Sequence, residues 1–256
     1  MGTVFSFDLR VPATRAVRHA LAEAVASLHH VDAVFSTYRP DSAISRLARG
    51  ETALGACPPE VAEVLALCAD AARATDGWFT SRPGGVLDPS GLVKGWAVDR
   101  AADLLVAAGA ANACVNGGGD IRLCGEAAPG VPWRTGIADP LRPGRLRAVV
   151  TGRDLAVATS GTAERGAHIL DPHTGRPATG PASVTVAGPR LAQADAYATA
   201  AFATGERTPA WLARLPGYTA LTVTRSGEAW ATPGFPLLGP PDDAASAAAP
   251  ACGDRP

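Results

Sequence analysis

Ala113-Cys114-Val115-Asn116-Gly117-Gly118-Gly119-Asp120-Ile121-Arg122-Leu123 is the stretch on which the fold turns. Three consecutive glycines let the backbone come close to a neighbour, because no Cβ intervenes. A dinucleotide-binding turn needs GxGxxG opening a helix. Here Ile121-Arg122-Leu123 alternates as a strand does, so a Rossmann reading fails on context. The glycines keep two uses, a phosphate cradle or a hairpin turn.

Working outward, the chain is helical before this turn and strand-rich after it. Val4, Phe5, Phe7 and Leu9 predict a short opening strand. From Thr14 to Phe35, Val17, Leu21, Ala24, Val25, Leu28, Val31 and Val34 recur every three or four residues and predict an amphipathic helix. Pro40 interrupts that period, and Asp41 or Ser42 suits the cap of a short helix that follows. A second helix is expected from Pro58-Pro59 to Ala74, a loop from Trp78 to Gly95, and a third helix from Trp96 to Ala108. Beyond the turn, 147–150, 155–157, 182–186 and 221–223 read as strands, with helices over 190–203 and 208–215. Helices first and strands later, with short turns among the strands, predict an α+β fold with helices packed on a mainly antiparallel sheet. One domain is expected over residues 1–232. From Pro233 the composition narrows to Pro, Ala, Gly and Asp, which predicts a disordered tail over 233–256.

A chain of 256 residues that is 47% hydrophobic and 18% charged can bury a large core, which excludes a coiled coil or a wholly disordered protein. Its 23 basic and 24 acidic residues form no long run of one sign, so nucleic acid is not an expected partner. The five cysteines form no CxxC pair and no zinc-spaced cluster, and reduced thiols are the simpler expectation. No apolar run approaches the roughly 20 residues of a membrane span. Met1 leads into no signal-like segment, so a cytoplasmic location is expected as written, and an exported form would need further sequence before it. The basic residues include a single lysine, Lys94, the rest being arginine. A lone lysine in such a chain either survives by chance or stands where a compact ammonium is required.

Four polar clusters are candidates for chemistry. Besides the glycine turn, Asp88-Pro89-Ser90-Gly91-Leu92-Val93-Lys94-Gly95 sets a carboxylate, a hydroxyl and the lysine at a helix entrance, where amide groups without helical partners attract anions. A plain N-cap by Ser90 explains the same residues. His168-Ile169-Leu170-Asp171-Pro172 places an imidazole beside a turn, where it can act as acid or base. Asp195 and Thr199, four apart on a helix, share one face as two hard oxygen donors suited to Mg²⁺, although a polar stripe on an Ala-rich helix has the same pattern.

Together, in order and spacing, these segments resemble the ApbE family of flavin transferases. The resemblance runs through Met1-Gly2-Thr3, Phe35-Ser36-Thr37-Tyr38-Arg39-Pro40-Asp41-Ser42, Thr75-Asp76-Gly77, Lys94-Gly95-Trp96-Ala97-Val98-Asp99 and Val115 to Ile121. It continues through Ala158-Thr159-Ser160-Gly161, His168 to Pro172, Thr174 to Pro177 and Ala194 to Thr199. It implies a T-fold-like domain that moves FMN from FAD to a Ser or Thr hydroxyl of an acceptor flavoprotein, with release of AMP. On that resemblance FAD would meet Met1, Tyr38, Trp78, Phe79, Thr80, Asp88, Lys94 and Leu170, with the lysine near the pyrophosphate. His168 would be the general base, and Mg²⁺ would be held by Asp195, Thr199 and the carbonyl of Gly91. The alternatives are hydrolysis of FAD to FMN and AMP, and a flavin-binding protein without turnover. A serine hydrolase built on Ser160, His168 and Asp171 ranks last, since no GxSxG elbow is present. Two departures stand out: Trp78-Phe79-Thr80 where the family often has Ala-Phe-Asp, and Ala198 where some relatives carry a second Asp.

Overall fold

The structure, a computed structural model, describes residues 2–161, 169–205 and 209–239. Its elements are β1 (Phe5–Leu9), α1 (Arg15–Phe35), α2 (Ala43–Ala48), α3 (Pro59–Ala74), α4 (Ser90–Ala107), β2 (Ala113–Gly117), β3 (Asp120–Cys124) and β4 (Trp133–Ala138). There follow β5 (Leu146–Gly152), β6 (Ala156–Gly161), β7 (Ser183–Gly188), α5 (Leu191–Thr204), β8 (Thr219–Val223), β9 (Ala229–Ala231) and β10 (Leu237–Gly239). Short 3₁₀ turns occupy Leu54–Ala56, Pro83–Gly85 and Ala210–Arg214.

The glycine stretch closes a hairpin. Gly117 pairs with Asp120 across the antiparallel β2–β3 ladder, and Gly118 and Gly119 between them have φ of +59° and +90°. Two successive positive φ values are what a two-residue turn that follows the strand twist requires, and glycine adopts them without strain. Asn116 Oδ1 accepts the Gly119 N–H at 2.9 Å and braces the turn.

A seven-stranded sheet in the order β1-β2-β3-β6-β7-β8-β9 is antiparallel at every pairing, which bears out the α+β reading. The strands alternate their faces, as the two-residue period demands. Ala156, Ala158, Val184, Val186 and Ala220 join the helices in the main core, whereas Val157, Ala187 and Leu221 face a second sheet of order β10-β5-β4. The molecule is therefore three layers: helices, large sheet, small sheet. On the helical side α4 and α5 lie together, α5 over β6 and β7, α4 over β2, with α1 against α4.

Small residues make that helix pair possible. In α5, Ala192, Ala194, Ala196, Ala198, Ala200, Ala201 and Ala203 are all buried. A Cβ added at Gly95 of α4 would stand 2.4 Å from the Leu191 carbonyl oxygen. Gly95→Ala is accordingly expected to push the two helices apart and to cost about 1–3 kcal/mol, the range for overpacking a close contact. Urea unfolding of the variant measures this.

Several elements depart from the sequence expectation. α4 starts at Ser90 where Trp96 was expected, because Pro89 supplies the N-cap position and the two glycines that weaken the helical pattern are tolerated inside it. The segment 208–215, expected as a helix, contains only the 3₁₀ turn Ala210–Arg214, with 206–208 outside the described residues. Strand β4, with no assignment from sequence, buries alternate residues, Trp133, Thr135 and Ile137. The expected tail from Pro233 begins too early: Phe235 is buried with Ile137 and Val150, and β10 pairs with β5. Among the described residues Cys57, Cys68 and Cys124 carry free thiols, in line with the expectation for those three. Among the described residues no helix is long and apolar enough to cross a membrane.

Candidate active site

The entrance to α4 is built by Asp88. Its Oδ1 accepts the Ser90 N–H at 2.9 Å and its own N–H donates to the Ser81 carbonyl, so Asp88, and not Ser90, supplies the side-chain cap. The first turn of α4 then carries Gly91, Leu92 and Val93, with Lys94 and Gly95 next. Leu92 and Val93 are buried in the core, which orients the helix so that Gly91 and Gly95 face α5.

α5 brings two oxygen donors to the same place. Asp195 is 5% exposed, and its Oδ2 accepts the Gly95 N–H at 3.1 Å, a hydrogen bond between residues a hundred positions apart. One turn on, Thr199 Oγ1 lies 3.3 Å from Ser160 Oγ of β6. A Cβ placed on Gly91 would come within 3.5 Å of Thr199 Oγ1 and 3.4 Å of the Phe79 ring. Gly91, Asp195 and Thr199 are thus brought together across α4 and α5. Carboxylate, hydroxyl and carbonyl are hard donors, and that chemistry fits Mg²⁺. Among the described residues no group of three or more His, Cys, Asp or Glu could hold a metal, so such a site rests on one carboxylate and neutral oxygens. Ala198, where some relatives have Asp, is fully buried.

Lys94 forms an ion pair with Asp120, Nζ to Oδ2 at 2.5 Å, the lysine side chain 22% and the aspartate 2% exposed. Asp120 Oδ1 also accepts the Thr159 N–H at 3.0 Å. The glycine turn therefore has a use beyond reversing the chain: it starts β3 with a carboxylate under the lysine. Sequence reasoning did not single out Asp120 or the Ser160 contact to Thr199. The available signal was the strand register, which pairs Asp120 with Gly117 and makes its side chain face the helical layer.

A second wall comes from 77–84 and 169–178. Leu170 pairs with Pro177 in an isolated bridge, and its Cδ1 would be 3.7 Å from a Cβ on Gly84. Trp78 meets His173 edge-on, ring centroids 4.5 Å apart. Thr80 Oγ1 accepts the Arg82 N–H, so its hydroxyl braces the loop where the family often has a carboxylate. Phe79 is 2% exposed and its ring is core, so this residue offers a ligand backbone alone. Tyr38 is 94% exposed in the segment between α1 and α2, available for stacking. Met1 and His168 lie outside the described residues.

Electrostatics hold this frame together. The N-cap residue of α5, Arg190, makes no side-chain cap; Asp99 of α4 does so from the neighbouring helix, its Oδ2 accepting the Ala192 N–H at 3.0 Å. Burial pushes the Asp99 carboxyl above its ordinary range, against the opposing pull of that hydrogen bond and of Arg190 and Arg122. Asp171 closes its own turn, accepting from the His173 N–H and from Thr174, and the first of these contacts holds its carboxyl below the usual range. Asp171 is thus engaged in its own turn and Ser160 lies against Thr199, while the third residue of the serine-hydrolase alternative, His168, lies outside the described residues.

The two helices thus bring hard oxygen donors, and an ammonium paired with a buried carboxylate, to the entrance of α4 in an α+β protein. The chain belongs to the ApbE family, whose profile matches residues 1–82 and 80–222. It is 36% identical over 195 residues to the FAD:protein FMN transferase of Rhodobacter capsulatus, a stretch covering 69% of this chain and 37% of that protein. The match thus spans little over a third of that curated relative. Among solved structures it is similar to the flavin transferase ApbE from Vibrio cholerae, with a TM-score of 0.77 and 27% identity, covering 93% of this chain and 96% of that one. The ApbE protein of Thermotoga maritima is similar at a TM-score of 0.75 and 25% identity, covering 91% and 94%.

Proposed function

We propose that this chain is a flavin transferase that moves the FMN part of FAD to a Ser or Thr hydroxyl of an acceptor flavoprotein and releases AMP, with Mg²⁺ as its metal. The observation that carries the reading is the approach of Gly91 to Thr199 and of Gly95 to Asp195 across two helices, with Lys94 of the same helix entrance paired to Asp120. The names of the relatives support the substrate, since FAD:protein FMN transferase states both donor and product. A bound Mg²⁺ would supply charge neutralisation at the phosphoryl oxygens.

The residues divide the work. Lys94 presents an ammonium to the pyrophosphate, while Asp120 holds that side chain from beneath. Asp88 fixes the start of α4, keeping Gly91 and Lys94 on consecutive turns. Tyr38 offers a ring face, and Leu170 with the loop from Trp78 to Thr80 forms the opposite wall. His168 takes the proton of the acceptor hydroxyl as its oxygen attacks the FMN phosphorus, and the bond to the AMP oxygen breaks. The flanks of the segment bearing His168 border the site, Ser160 beside Thr199 and Leu170 beside Gly84.

Chromatographic separation of FAD, FMN and AMP, with and without EDTA, tests this assignment. Metal-dependent AMP formation is expected. AMP with equal free FMN despite a competent acceptor would make the chain a hydrolase, and bound FAD left intact would make it a flavin-binding protein.

A further inference from the structure

We propose that Asp120 is the positioning residue of this site: one buried carboxylate that aims Lys94 at the pyrophosphate and holds β6 so that Ser160 supports Thr199. This rests on the reading of Lys94 as a pyrophosphate ligand. Asp120 is 1% exposed, and a carboxylate so buried is costly unless it is paired and hydrogen-bonded. Each oxygen has its task. Oδ2 lies 2.5 Å from Lys94 Nζ, and Oδ1 accepts the Thr159 N–H at 3.0 Å.

These two contacts join the halves of the site. Lys94 belongs to α4, whereas Thr159 is followed directly by Ser160, whose Oγ is 3.3 Å from Thr199 Oγ1 on α5. Thr159 Oγ1 in turn lies 2.9 Å from Thr185 Oγ1 on β7, which fixes the strand from its other side. An ammonium sits on a flexible stem, and the contact with Asp120 fixes where its Nζ lies. Loss of that contact loosens the lysine, and FAD binding would bear the cost of ordering it again. The Gly118-Gly119 turn has a reason in this scheme, since it sets Asp120 at the first position of β3, opposite Gly117.

The test is a double-mutant cycle on FAD affinity, read by quenching of flavin fluorescence in EDTA so that no turnover intrudes. Asp120→Asn keeps an oxygen for the Thr159 N–H and removes the charge under the lysine. Both Lys94→Met and Asp120→Asn are expected to weaken FAD binding about tenfold or more, in line with losing one partner of a buried charge pair. The double variant is expected to bind no more weakly than Lys94→Met alone, because Asp120 acts through the lysine. Asp120→Glu retains the charge one methylene displaced, and it should lose several-fold in the presence of Lys94 and nothing in its absence. This variant carries the test where the asparagine variant does not fold. Wild-type affinity in the Asp120 variants, or losses that multiply with Lys94→Met, would overturn the positioning role while leaving the lysine's own role intact. Wild-type affinity in Lys94→Met would instead remove the lysine from the FAD site, and the positioning role with it.

Discussion

Asp195→Asn is expected to lower metal-dependent AMP release by two orders of magnitude or more while the protein remains folded. The two halves of that expectation come from different atoms. A carboxamide oxygen can still accept the Gly95 N–H that Asp195 Oδ2 accepts at 3.1 Å, so the α4–α5 junction survives. What disappears is the negative charge beside Thr199 and Gly91, where among the described residues no group of three or more His, Cys, Asp or Glu could hold a metal. Charge stabilisation by a metal is worth several kcal/mol, and each ~1.4 kcal/mol is a factor of ten in rate. Asp195→Ala behaves differently, since it also removes the contact that ties α5 to the Gly95 N–H, at a cost of about 0.5–1.5 kcal/mol in stability. Turnover against Mg²⁺ concentration, with urea unfolding of both variants, separates the effects. Full activity in Asp195→Asn would remove the residue from the metal site.

His168→Ala is expected to slow transfer about 10²–10⁴-fold, the usual worth of a general base, with FAD affinity unchanged. The assignment follows the family pattern His168-Ile169-Leu170-Asp171-Pro172, and Leu170 against Gly84 brings the described end of that pattern to the site wall. A base that acts only on the acceptor hydroxyl leaves the binding of the donor alone. Single-turnover transfer together with fluorescence titration of FAD checks this. Loss of FAD affinity equal to the loss of rate would make His168 a binding residue and leave the base to be found elsewhere.

The parts legible in the sequence were those with short-range causes. The α1 stripe follows the helical period, the cap of α2 is Ser42 accepting the Ser45 N–H at 3.1 Å, and the glycine turn precedes an alternating strand. Asp195 and Thr199 were recognisable as a pair because four residues make one helical turn. What was not legible depended on partners far along the chain. The start of α4 was hidden by Gly91 and Gly95, which lower helix propensity locally, and Gly95 is required by its close contact with Leu191, over ninety residues later. Asp120 read as the end of a turn, and only the sheet register shows it under Lys94. β10 was lost within a Pro- and Ala-rich stretch, since its three residues gain their stability from β5 and from the burial of Phe235.

The central claim is that the acceptor's oxygen, and not water, receives the FMN phosphorus. The most direct measurement is the intact mass of a small acceptor domain bearing an Asp-Ser/Thr-Gly-Ala-Thr type site, taken after incubation with this protein, FAD and Mg²⁺, with AMP quantified in the same sample. The account predicts an acceptor heavier by one FMN and an equal amount of AMP. AMP matched by free FMN, with the acceptor mass unchanged, would contradict it.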